Sequence, residues 1–160
     1  MEVRSEMVAN IDVIYSKVLH RYIEIEYGTK LLSLRFLRPG KQLKERKTHD
    51  IAFELERYFQ GEVIDFSPAC DISYLSPFEQ KVLEETRKIK YGKTITYSEL
   101  AEKTGSRAVR AVGNALGKNP VPIIIPCHRV VAKKGIGGYS EGIDIKTTLL
   151  ELEKRNANNL

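Results

Sequence analysis

Residues 96–117 read TYSELAEKTGSRAVRAVGNALG, and this stretch decides how the second half of the chain folds. Its first four residues, 96–99, form a capping box, in which a threonine and a glutamate satisfy free backbone N–H groups at the start of a helix. Gly105 breaks that short helix, and Ser106 is expected to cap a second one over residues 107–116. Two short helices joined by a glycine-containing turn predict a helix-turn-helix.

The flanking sequence predicts two further helices and one strand. Residues 76–79 read SPFE, a second capping box with proline at the first helical position, so a helix is expected over residues 78–89. The apolar run at 123–131 contains a proline and is otherwise typical of a buried strand. Asp144 is expected to cap a last helix that ends near residue 155.

The first half of the chain has the pattern of a small sheet. Residues 10–37 contain three β-rich segments separated by turn residues, and residues 48–60 place apolar side chains on one helical face. We therefore predict an α/β N-terminal domain over residues 1–65 and a linker over 66–75. A mainly α C-terminal domain over 76–160 would contain the helix-turn-helix.

The composition is that of a basic protein. The 160 residues carry a net charge of +5 with an isoelectric point near 9.1, which favours an anionic partner such as nucleic acid. Cys70 and Cys127 lie far apart without metal-ligand spacing, so we expect no metal and a reducing, cytoplasmic location. Charges interrupt the first 20 residues and no run reaches ~18 apolar residues, so we expect neither a signal peptide nor a membrane partner.

The second helix of the pair has a surface suited to a nucleic-acid backbone. Small side chains allow a close approach, and basic side chains can meet phosphates. Few long polar groups are available to read base edges in the major groove, so the pattern indicates shape-based contact, as in the minor groove. An ordinary helical hairpin remains the alternative. The residues that carry the interpretation are Arg107, Arg110, Ala111, Gly113, Asn114 and Lys118.

Cys127 stands in the motif PCHRV, residues 126–130, where a thiol is followed by an imidazole and a guanidinium. A cysteine buried only for packing needs neither neighbour, and that simpler interpretation fits Cys70. A thiol that reacts needs groups that favour its thiolate, and a histidine that moves a proton needs an orienting carboxylate. The last predicted helix offers Glu151 and Glu153 for that role.

Residues 119–131, NPVPIIIPCHRVV, followed by Gly138-Tyr139-Ser140, closely resemble the active-site signature of the O6-alkylguanine-DNA alkyltransferases. The resemblance covers roughly residues 75–153 and includes Tyr97 and the run Arg110-Ala111-Val112-Gly113. It implies a small RNase H-like α/β domain at the N-terminus and a winged-helix-like helix-turn-helix in the C-terminal domain. Zinc-binding residues described for some members have no counterpart here, so no metal is assigned.

The resemblance also implies a role for each matched residue. Cys127 would accept the alkyl group, His128 would take its proton through a water, and Glu153 would orient His128. Tyr97 would donate a hydrogen bond to the flipped base and crowd its phosphate, and Arg110 would fill the gap left in the duplex. Asn119 would hold the active-site turn. The residues of the substrate pocket would be Tyr139, Ser140, Val130 and Arg129.

The implied activity is repair of alkylated DNA by direct reversal. The alkyl group on O6 of guanine, and on O4 of thymine, would pass irreversibly to Cys127, once per molecule and without a cofactor. The partner would be double-stranded DNA, bound by a monomer. A thiolate cannot reach a base stacked in a duplex unless the nucleotide is flipped out. If His128 and Glu153 lower the pKa of Cys127, the transfer rate should rise with pH to a midpoint below ~8.5.

Two other functions remain open on the sequence alone. A non-catalytic lesion binder would mark alkylated bases for other proteins, although the presence of Cys127 favours transfer. A cysteine hydrolase could be built from Cys127, His128 and a carboxylate. Such enzymes, however, place the histidine far from the cysteine in sequence and need an oxyanion hole.

Overall fold

The computed structural model describes residues 10–40 and 42–158, and the chain divides into two compact units, Met1–Asp71 and Ile72–Leu160. The N-terminal unit contains three strands and a helix: β1 Asn10–Ser16, β2 Arg21–Tyr27, β3 Leu31–Phe36 and α1 Asp50–Phe59. The C-terminal unit contains α2 Pro77–Arg87, β4 Ile95–Thr96, α3 Tyr97–Thr104, α4 Val109–Leu116, a 3₁₀ helix Cys127–Arg129, β5 Val130–Val131 and α5 Ile143–Ala157.

The three strands of the N-terminal unit form one antiparallel sheet in the order β1-β2-β3. Successive side chains of a strand face opposite sides, and the buried side of β1 and β2 carries Ile14, Ile23 and Ile25. Helix α1 packs against β1 and buries Ile51 and Leu55. A small sheet followed by a helix agrees with the α/β prediction for this half.

A buried carboxylate ties the start of this sheet to the segment before α1. Asp12 is 1% exposed, and it accepts hydrogen bonds from the backbone N–H and hydroxyl of Thr48, at 2.9 and 2.6 Å, and from the backbone N–H of His49, at 2.8 Å. Burial opposes the charge of Asp12, but these donors outweigh burial and hold the pKa of the carboxyl below its ordinary value.

Both predicted capping boxes are present in the C-terminal unit. The Ser76 hydroxyl accepts from the backbone N–H of Glu79, whose carboxylate accepts from the backbone N–H of Ser76. Thr96 and Glu99 repeat this exchange at the start of α3. Gly105 then adopts φ +76°, the left-handed conformation in which glycine commonly ends a helix. Helix α2 packs against both α3 and α4.

The second helix of the pair begins two residues later than predicted. Ser106 does not cap it, because its hydroxyl accepts from the backbone N–H of Ala108, and α4 starts at Val109 without a side-chain cap. Serine offers the backbone such local bonds outside helices, and here the local bond replaces the predicted cap. Arg107 therefore precedes the helix, while Arg110 lies in its first turn.

Residues 123–131 were predicted to be a strand, and that prediction is wrong except for the last two residues, Val130–Val131. Residues 121–126 consist mainly of turns, with φ +76° at Ile123, and Cys127–Arg129 form a short 3₁₀ helix. Two prolines in this run lack backbone N–H groups, which disfavours regular ladder pairing. The strand that follows is Val130–Val131, which pairs in parallel with β4.

Helix α5 begins after Gly142, so Asp144 lies inside its first turn and is not the predicted N-cap. Gly92, with φ +76°, lies against the far end of this helix. A Cβ atom added to Gly92 would come within 2.5 Å of the Ala157 side chain, and the Gly92 backbone N–H donates to Glu153 at 3.3 Å. One face of α5 buries apolar and charged side chains alike: Ile145, Lys146, Leu149, Leu152 and Glu153.

Candidate active site

Cys127 faces a cavity of about 330 Å³ in the C-terminal unit. The start of α3, the end of α4, the 3₁₀ helix and the glycine-rich loop before α5 meet around it. This volume lies at the lower end of the range for small-ligand sites. The lining residues are Tyr97, Gly113, Leu116, Gly117, Cys127, Gly138, Tyr139 and Ser140. The structure thus brings together Tyr97, Cys127, Tyr139 and Ser140, which the resemblance assigned to the site, and adds Gly113, which was assigned to the DNA contact.

Asn119 shapes the turn that carries the cysteine. Its Nδ2 donates to the Ile125 carbonyl at 2.8 Å, and its Oδ1 accepts from the Val121 backbone N–H at 2.9 Å. The backbone N–H of Cys127 donates to the same Ile125 carbonyl at 2.8 Å. These bonds satisfy backbone groups that a buried run without regular strand pairing would otherwise leave unpaired. Asn119 thereby helps to fix the backbone next to Cys127.

His128 and Glu153 form a buried pair next to the cysteine. His128 Nε2 lies 2.7 Å from Glu153 Oε2, and both side chains are almost completely buried. Because a carboxylate only accepts, Nε2 carries the hydrogen, and Nδ1 of the neutral imidazole keeps its lone pair. Among the described residues, Nδ1 has no hydrogen-bond partner. Burial lowers the pKa of His128, so the ring is neutral at pH 7 and Nδ1 can accept a proton.

Arg129 holds the same carboxylate with its guanidinium group. Nε donates to Glu153 Oε1 at 2.8 Å, Nη2 donates to Oε2 at 2.9 Å, and Nη1 donates to the Ile89 carbonyl at 2.7 Å. Burial alone would raise the pKa of Glu153, but the hydrogen bonds from His128 and Arg129, together with the Arg129 charge, outweigh it and hold the pKa well below the usual range. Glu153 is therefore ionised at neutral pH and positions His128.

Two residues predicted to line the substrate pocket do not lie among its lining residues. The guanidinium of Arg129 points to Glu153, since a buried cation without a carboxylate partner would be strongly unfavourable. The Val130 side chain is completely buried, and its carbonyl accepts from Lys146 Nζ at 2.7 Å. Arg129 and Val130 therefore support the turn that carries the cysteine and do not shape its cavity.

Lys146 is a residue of this site that the sequence interpretation missed. It is fully buried, and its Nζ donates to the carbonyls of Val130 and Gly138 at 2.7 and 3.0 Å. Burial lowers the pKa of Lys146 to about 8, and its positive charge favours the Cys127 thiolate. A signal was present in the sequence, because Lys146 stands seven residues before Glu153 and so falls on the same helical face.

The Cys127 thiol is protonated in the resting protein. Burial raises the pKa of the thiol, and the opposing effects of Asn119, Tyr139 and the Lys146 charge do not reverse this. The condition for a rate midpoint below ~8.5, a lowered pKa of Cys127, is therefore not met. Because the nucleophile is the thiolate, the chemistry needs a proton acceptor during the reaction, and His128 Nδ1 is an unpaired acceptor.

Two tyrosine hydroxyls belong to the cavity wall. Tyr97 Oη donates to the Gly138 carbonyl at 3.3 Å, whereas the buried Tyr139 Oη faces the Cys127 thiol and interacts with it. Burial raises the pKa of both phenols, so each carries its proton at neutral pH. Gly137, with φ +82°, allows the loop to approach, because a Cβ atom there would lie 2.9 Å from the Tyr97 side chain. Each hydroxyl can donate to a bound group.

The side chains predicted to meet DNA differ in accessibility. Arg107 and Arg110 are exposed. Lys118 is also exposed, but its Nζ forms an ion pair with the Glu79 carboxylate, which competes with any phosphate for that charge. The remaining predicted contact residues are the half-buried Ala111 and Gly113 and the exposed Asn114. The basic groups are therefore placed on the surface of the helix pair, as a phosphate contact requires.

The described residues offer neither a cluster of metal ligands nor a helix suited to a membrane. In residues 10–40 and 42–158, no group of three or more His, Cys, Asp or Glu side chains is placed to hold a metal ion. Within the same segments, no helix has both the length and the apolar character needed to cross a membrane. The second cysteine, Cys70, belongs to the N-terminal unit, where its thiol donates to the Pro68 carbonyl at 3.8 Å.

Comparison with known proteins places this arrangement in a family. A family model described as "6-O-methylguanine DNA methyltransferase, DNA binding domain" matches residues 77–155. Two relatives named methylated-DNA–protein-cysteine methyltransferase share 47% identity over 107 residues, in Sulfolobus acidocaldarius, and 48% over 100 residues, in Metallosphaera sedula. The matches cover 67% and 62% of this chain and 68% and 64% of those proteins, so they span about two thirds of the relatives' length.

A solved structure extends the similarity to most of the chain. The crystal structure of Mycobacterium tuberculosis OGT in complex with DNA gives a TM-score of 0.77 at 35% identity, with 90% of this chain and 92% of that chain covered. The chain therefore belongs to the O6-methylguanine-DNA methyltransferase family. This confirms the family predicted from residues 119–131 and the prediction of a small sheet accompanied by helices.

Proposed function

We propose that this protein repairs alkylated DNA by direct reversal, transferring an alkyl group from O6 of guanine to the sulfur of Cys127. One observation carries the proposal: the Cys127 thiol faces a cavity with tyrosine hydroxyls in its wall, while the buried His128–Glu153 pair lies next to it. The names of the two relatives describe the same activity, with a protein cysteine as acceptor. The lesion-binder and hydrolase alternatives gain no support from the site.

The first part of the reaction removes the proton from the thiol. Through a bridging water, this proton passes from Cys127 to His128 Nδ1, whose lone pair is available because Nε2–H is bound to Glu153. The neighbouring carboxylate stabilises the imidazolium that forms. The buried positive charge of Lys146 favours the thiolate.

In the second part, the sulfur forms a bond to the alkyl carbon while the bond between that carbon and guanine O6 breaks. The electron pair of the breaking bond moves onto the purine, and the O–H groups of Tyr97 and Tyr139 stabilise the developing negative charge. The purine then takes up a proton, which solvent returns from His128. Overall, the thiol hydrogen ends on guanine and the alkyl group on Cys127.

The alkylated base reaches this cavity only if it leaves the base stack. Extrusion costs a few kcal/mol, which phosphate contacts and a side chain inserted into the vacated space can offset. Arg110 is our candidate for insertion, because it is exposed in the first turn of α4 and its planar charged head can stack and hydrogen-bond. Arg107 would contact a phosphate. Lys118 would leave its ion pair with Glu79 and bind a phosphate instead.

The thioether that forms has no route back to a thiol. Among the described residues, the cavity is lined by one cysteine, and Cys70 belongs to the other unit. A thioether is not reversed by thiol–disulfide exchange, because that reaction needs a disulfide bond. Each molecule should therefore act once and need no cofactor.

We also propose the finer features that the family resemblance implies. The N-terminal domain over 1–65 is RNase H-like, residues 66–75 are a linker, and the C-terminal domain over 76–160 is winged-helix-like. The antiparallel sheet with one helix supports the first assignment, and the β4–β5 pair beside the helix pair supports the last. The protein is a cytoplasmic monomer that binds double-stranded DNA, flips the base and accepts alkyl groups from O4 of thymine as well.

Intact-protein mass spectrometry after incubation with excess O6-methylguanine duplex tests the transfer. We expect a gain of one methyl group per active molecule, located on Cys127, and no further turnover. Cys127→Ser should bind DNA and gain nothing, because a serine alkoxide is far harder to form at neutral pH than a thiolate. The matched control, Cys70→Ser, should gain its methyl group. Sustained turnover, or an unchanged mass with the lesion bound, would refute transfer to the protein.

A further inference from the structure

An ion pair in the C-terminal unit joins the start of α2 to the end of α4. Lys118 lies one residue beyond Gly117, the C-cap of α4, and its Nζ binds the carboxylate of Glu79 in the first turn of α2. The two helices pack against each other, so the pair spans a tertiary contact. The charge of Lys118 therefore has a partner before any ligand arrives.

The ion pair stands beside the reaction cavity. Leu116 and Gly117 line the cavity, and Lys118 is the next residue along the chain. Asn119, which follows, holds the turn that carries Cys127. A nucleotide that is flipped into a cavity stays attached to its two neighbours, so backbone phosphates must pass close to the cavity rim. Lys118 therefore stands where a phosphate is expected and is already paired with a carboxylate.

Glu79 is the fixed member of the pair. Its Oε1 accepts from the backbone N–H of Ser76 at 3.0 Å as part of the capping box, while its Oε2 binds Lys118. The Glu79 side chain is 15% exposed, against 59% for Lys118. The hydrogen bond from Lys118 is the main reason that the pKa of Glu79 lies below its ordinary value, so this carboxyl is ionised at neutral pH. Because Ser76 still holds the carboxylate, Lys118 can leave without unfolding the start of α2.

An ion pair of this kind is weak enough to exchange its partner. Pairs with an exposed lysine are favoured over their separated groups by a factor of about 1.5 to 5. A lysine carries its charge on a flexible stem, so its ammonium group can turn from one anion to another. A ligand that binds only the released lysine has its apparent affinity reduced by the fraction of molecules in which the lysine is released. The pair between Lys118 and Glu79 therefore lowers the affinity for any phosphate that Lys118 binds.

We propose that Glu79 is an intramolecular competitor of DNA, which holds Lys118 in the free protein and releases it to a backbone phosphate when a duplex binds. The inference rests on the proposed function and adds a residue that regulates its DNA contact. A duplex displaces the carboxylate because its closely spaced phosphates attract cations strongly. Since phosphates carry no sequence information, the competition weakens binding to every duplex to the same degree.

Glu79→Gln in the full-length protein tests this contact and preserves the helix start, because glutamine also closes a capping box. The midpoint of equilibrium denaturation should therefore stay unchanged. Binding of an unmodified duplex, followed by fluorescence anisotropy at low salt, should become about threefold tighter, since Lys118 no longer has to leave a carboxylate. An affinity equal to or weaker than that of the unchanged protein would overturn the proposal.

Two comparisons separate the release of Lys118 from a general loss of negative charge. Glu84→Gln, at an exposed position of the same helix, changes the net charge equally and should leave duplex affinity nearly unchanged. In a Lys118→Ala background, Glu79→Gln should give little gain, because no cation remains to be released. An equal gain with and without Lys118, or an equal gain from Glu84→Gln, would show simple repulsion of DNA and overturn the proposal.

A kinetic readout distinguishes this proposal from the proposed function. In single-turnover transfer from an O6-methylguanine duplex, Glu79→Gln should raise the rate about threefold at subsaturating DNA. The rate at saturating DNA should stay unchanged, and a higher rate there would assign Glu79 to the chemical step and overturn the proposal. If the variant gains affinity but neither protein accepts an alkyl group, the proposed function fails and the competitor role stands. If transfer proceeds without a gain in affinity, only the competitor role is removed.

Discussion

Each unit contains a buried carboxylate at the centre of a hydrogen-bond network, and the two carboxylates differ in their donors. In the N-terminal unit, Asp12 is held mainly by backbone N–H groups and a hydroxyl of the segment before α1. In the C-terminal unit, Glu153 is held by the Arg129 guanidinium and the His128 ring. The first network joins two chain segments. The second also fixes a proton acceptor next to a thiol.

The two histidines of these networks show why burial matters. His49 Nδ1 lies 3.3 Å from Asp12, with its side chain 24% exposed and its ring stacked on Tyr27. His128 lies 2.7 Å from its carboxylate and is fully buried. A buried imidazole with one nitrogen bound has its tautomer fixed, so its other nitrogen is committed to accepting. The two histidines thus differ in burial and in how closely each is bound to its carboxylate.

The largest effect is expected from Glu153→Gln, which removes the charge at nearly constant shape. Transfer should fall about a hundredfold, the order that a positioned base contributes, and the free energy of unfolding should fall by about 3 kcal/mol because Arg129 stays buried without its partner. Single-turnover rates and equilibrium denaturation measure the two effects. Glu151→Gln, exposed on the same helix, is the matched control. Normal transfer by a folded Glu153→Gln would remove Glu153 from the mechanism.

The pH dependence of the transfer rate tests whether the buried His128 is the proton acceptor. Burial raises the pKa of Cys127 and lowers that of His128. At any pH between these two pKa values, Cys127 is a thiol and His128 is a neutral imidazole. The rate should be nearly flat through neutral pH and fall only below the ordinary histidine value of about 6.5, as His128 takes up a proton.

In Glu153→Gln, only preformed thiolate should react, so the rate should rise about tenfold per pH unit. Rates on a free alkylated base, taken across this range, distinguish the two profiles. A tenfold rise per unit in the unchanged protein would show that His128 is not the acceptor.

A smaller effect on transfer is expected at Arg110, the exposed counterpart of the buried Arg129. Arg110→Ala should lose about tenfold on duplex substrate and little on a free alkylated base, which needs no extrusion. Lys118→Ala should weaken duplex binding modestly and lower its salt slope by about 1, as for one phosphate contact. Equal loss by Arg110→Ala on both substrates would assign this arginine to the fold or the pocket.

Asp12→Asn should leave transfer unchanged and lower the free energy of unfolding by about 1–3 kcal/mol, because buried donors lose a charged acceptor. Its pKa is lower in the folded protein than in the unfolded chain, so its contribution is complete above about pH 4 and is lost as the pH falls through the folded pKa. Denaturation between pH 3 and 7 measures both effects, with the exposed Asp50→Asn as control. If Asp12→Asn lowered the transfer rate as much as Glu153→Gln, the Asp12 network would not be purely structural.

Local signals in the sequence predicted the helices well, and signals that depend on tertiary contacts failed. The capping boxes at Ser76 and Thr96 lie within four residues and need nothing from the rest of the fold. Ser106 and Asp144 are equally good caps by residue type, but the N-cap positions of α4 and α5 are occupied by Ala108 and Gly142. In the apolar run before Cys127, only the prolines indicate turns. An apolar run of this length is otherwise typical of a buried strand.

The site was predictable where one motif supplies it and less so where distant segments meet. The motif pointed to Cys127 and His128, whereas the residues alone left Glu151 and Glu153 open and only the family resemblance favoured Glu153. The resemblance placed Arg129 in the pocket, but the sequence does not say which way a side chain points, and the guanidinium binds Glu153 instead. Lys146 was missed because lysines are seldom fully buried, although its place on an otherwise buried face was visible.

Gly92 bears on the alignment of α5. A helix rotates by about 100° and advances about 1.5 Å per residue, so a slip of one position would swing Glu153 out of reach of Arg129. The Ala157 methyl group packs on the bare Cα of Gly92, while the N–H of the same glycine binds Glu153. The contact between Gly92 and Ala157 thus fixes the axial position of α5. A larger residue at position 92 would shift the helix, displace Glu153 and so impair proton removal from the Cys127 thiol, although position 92 does not contact that thiol.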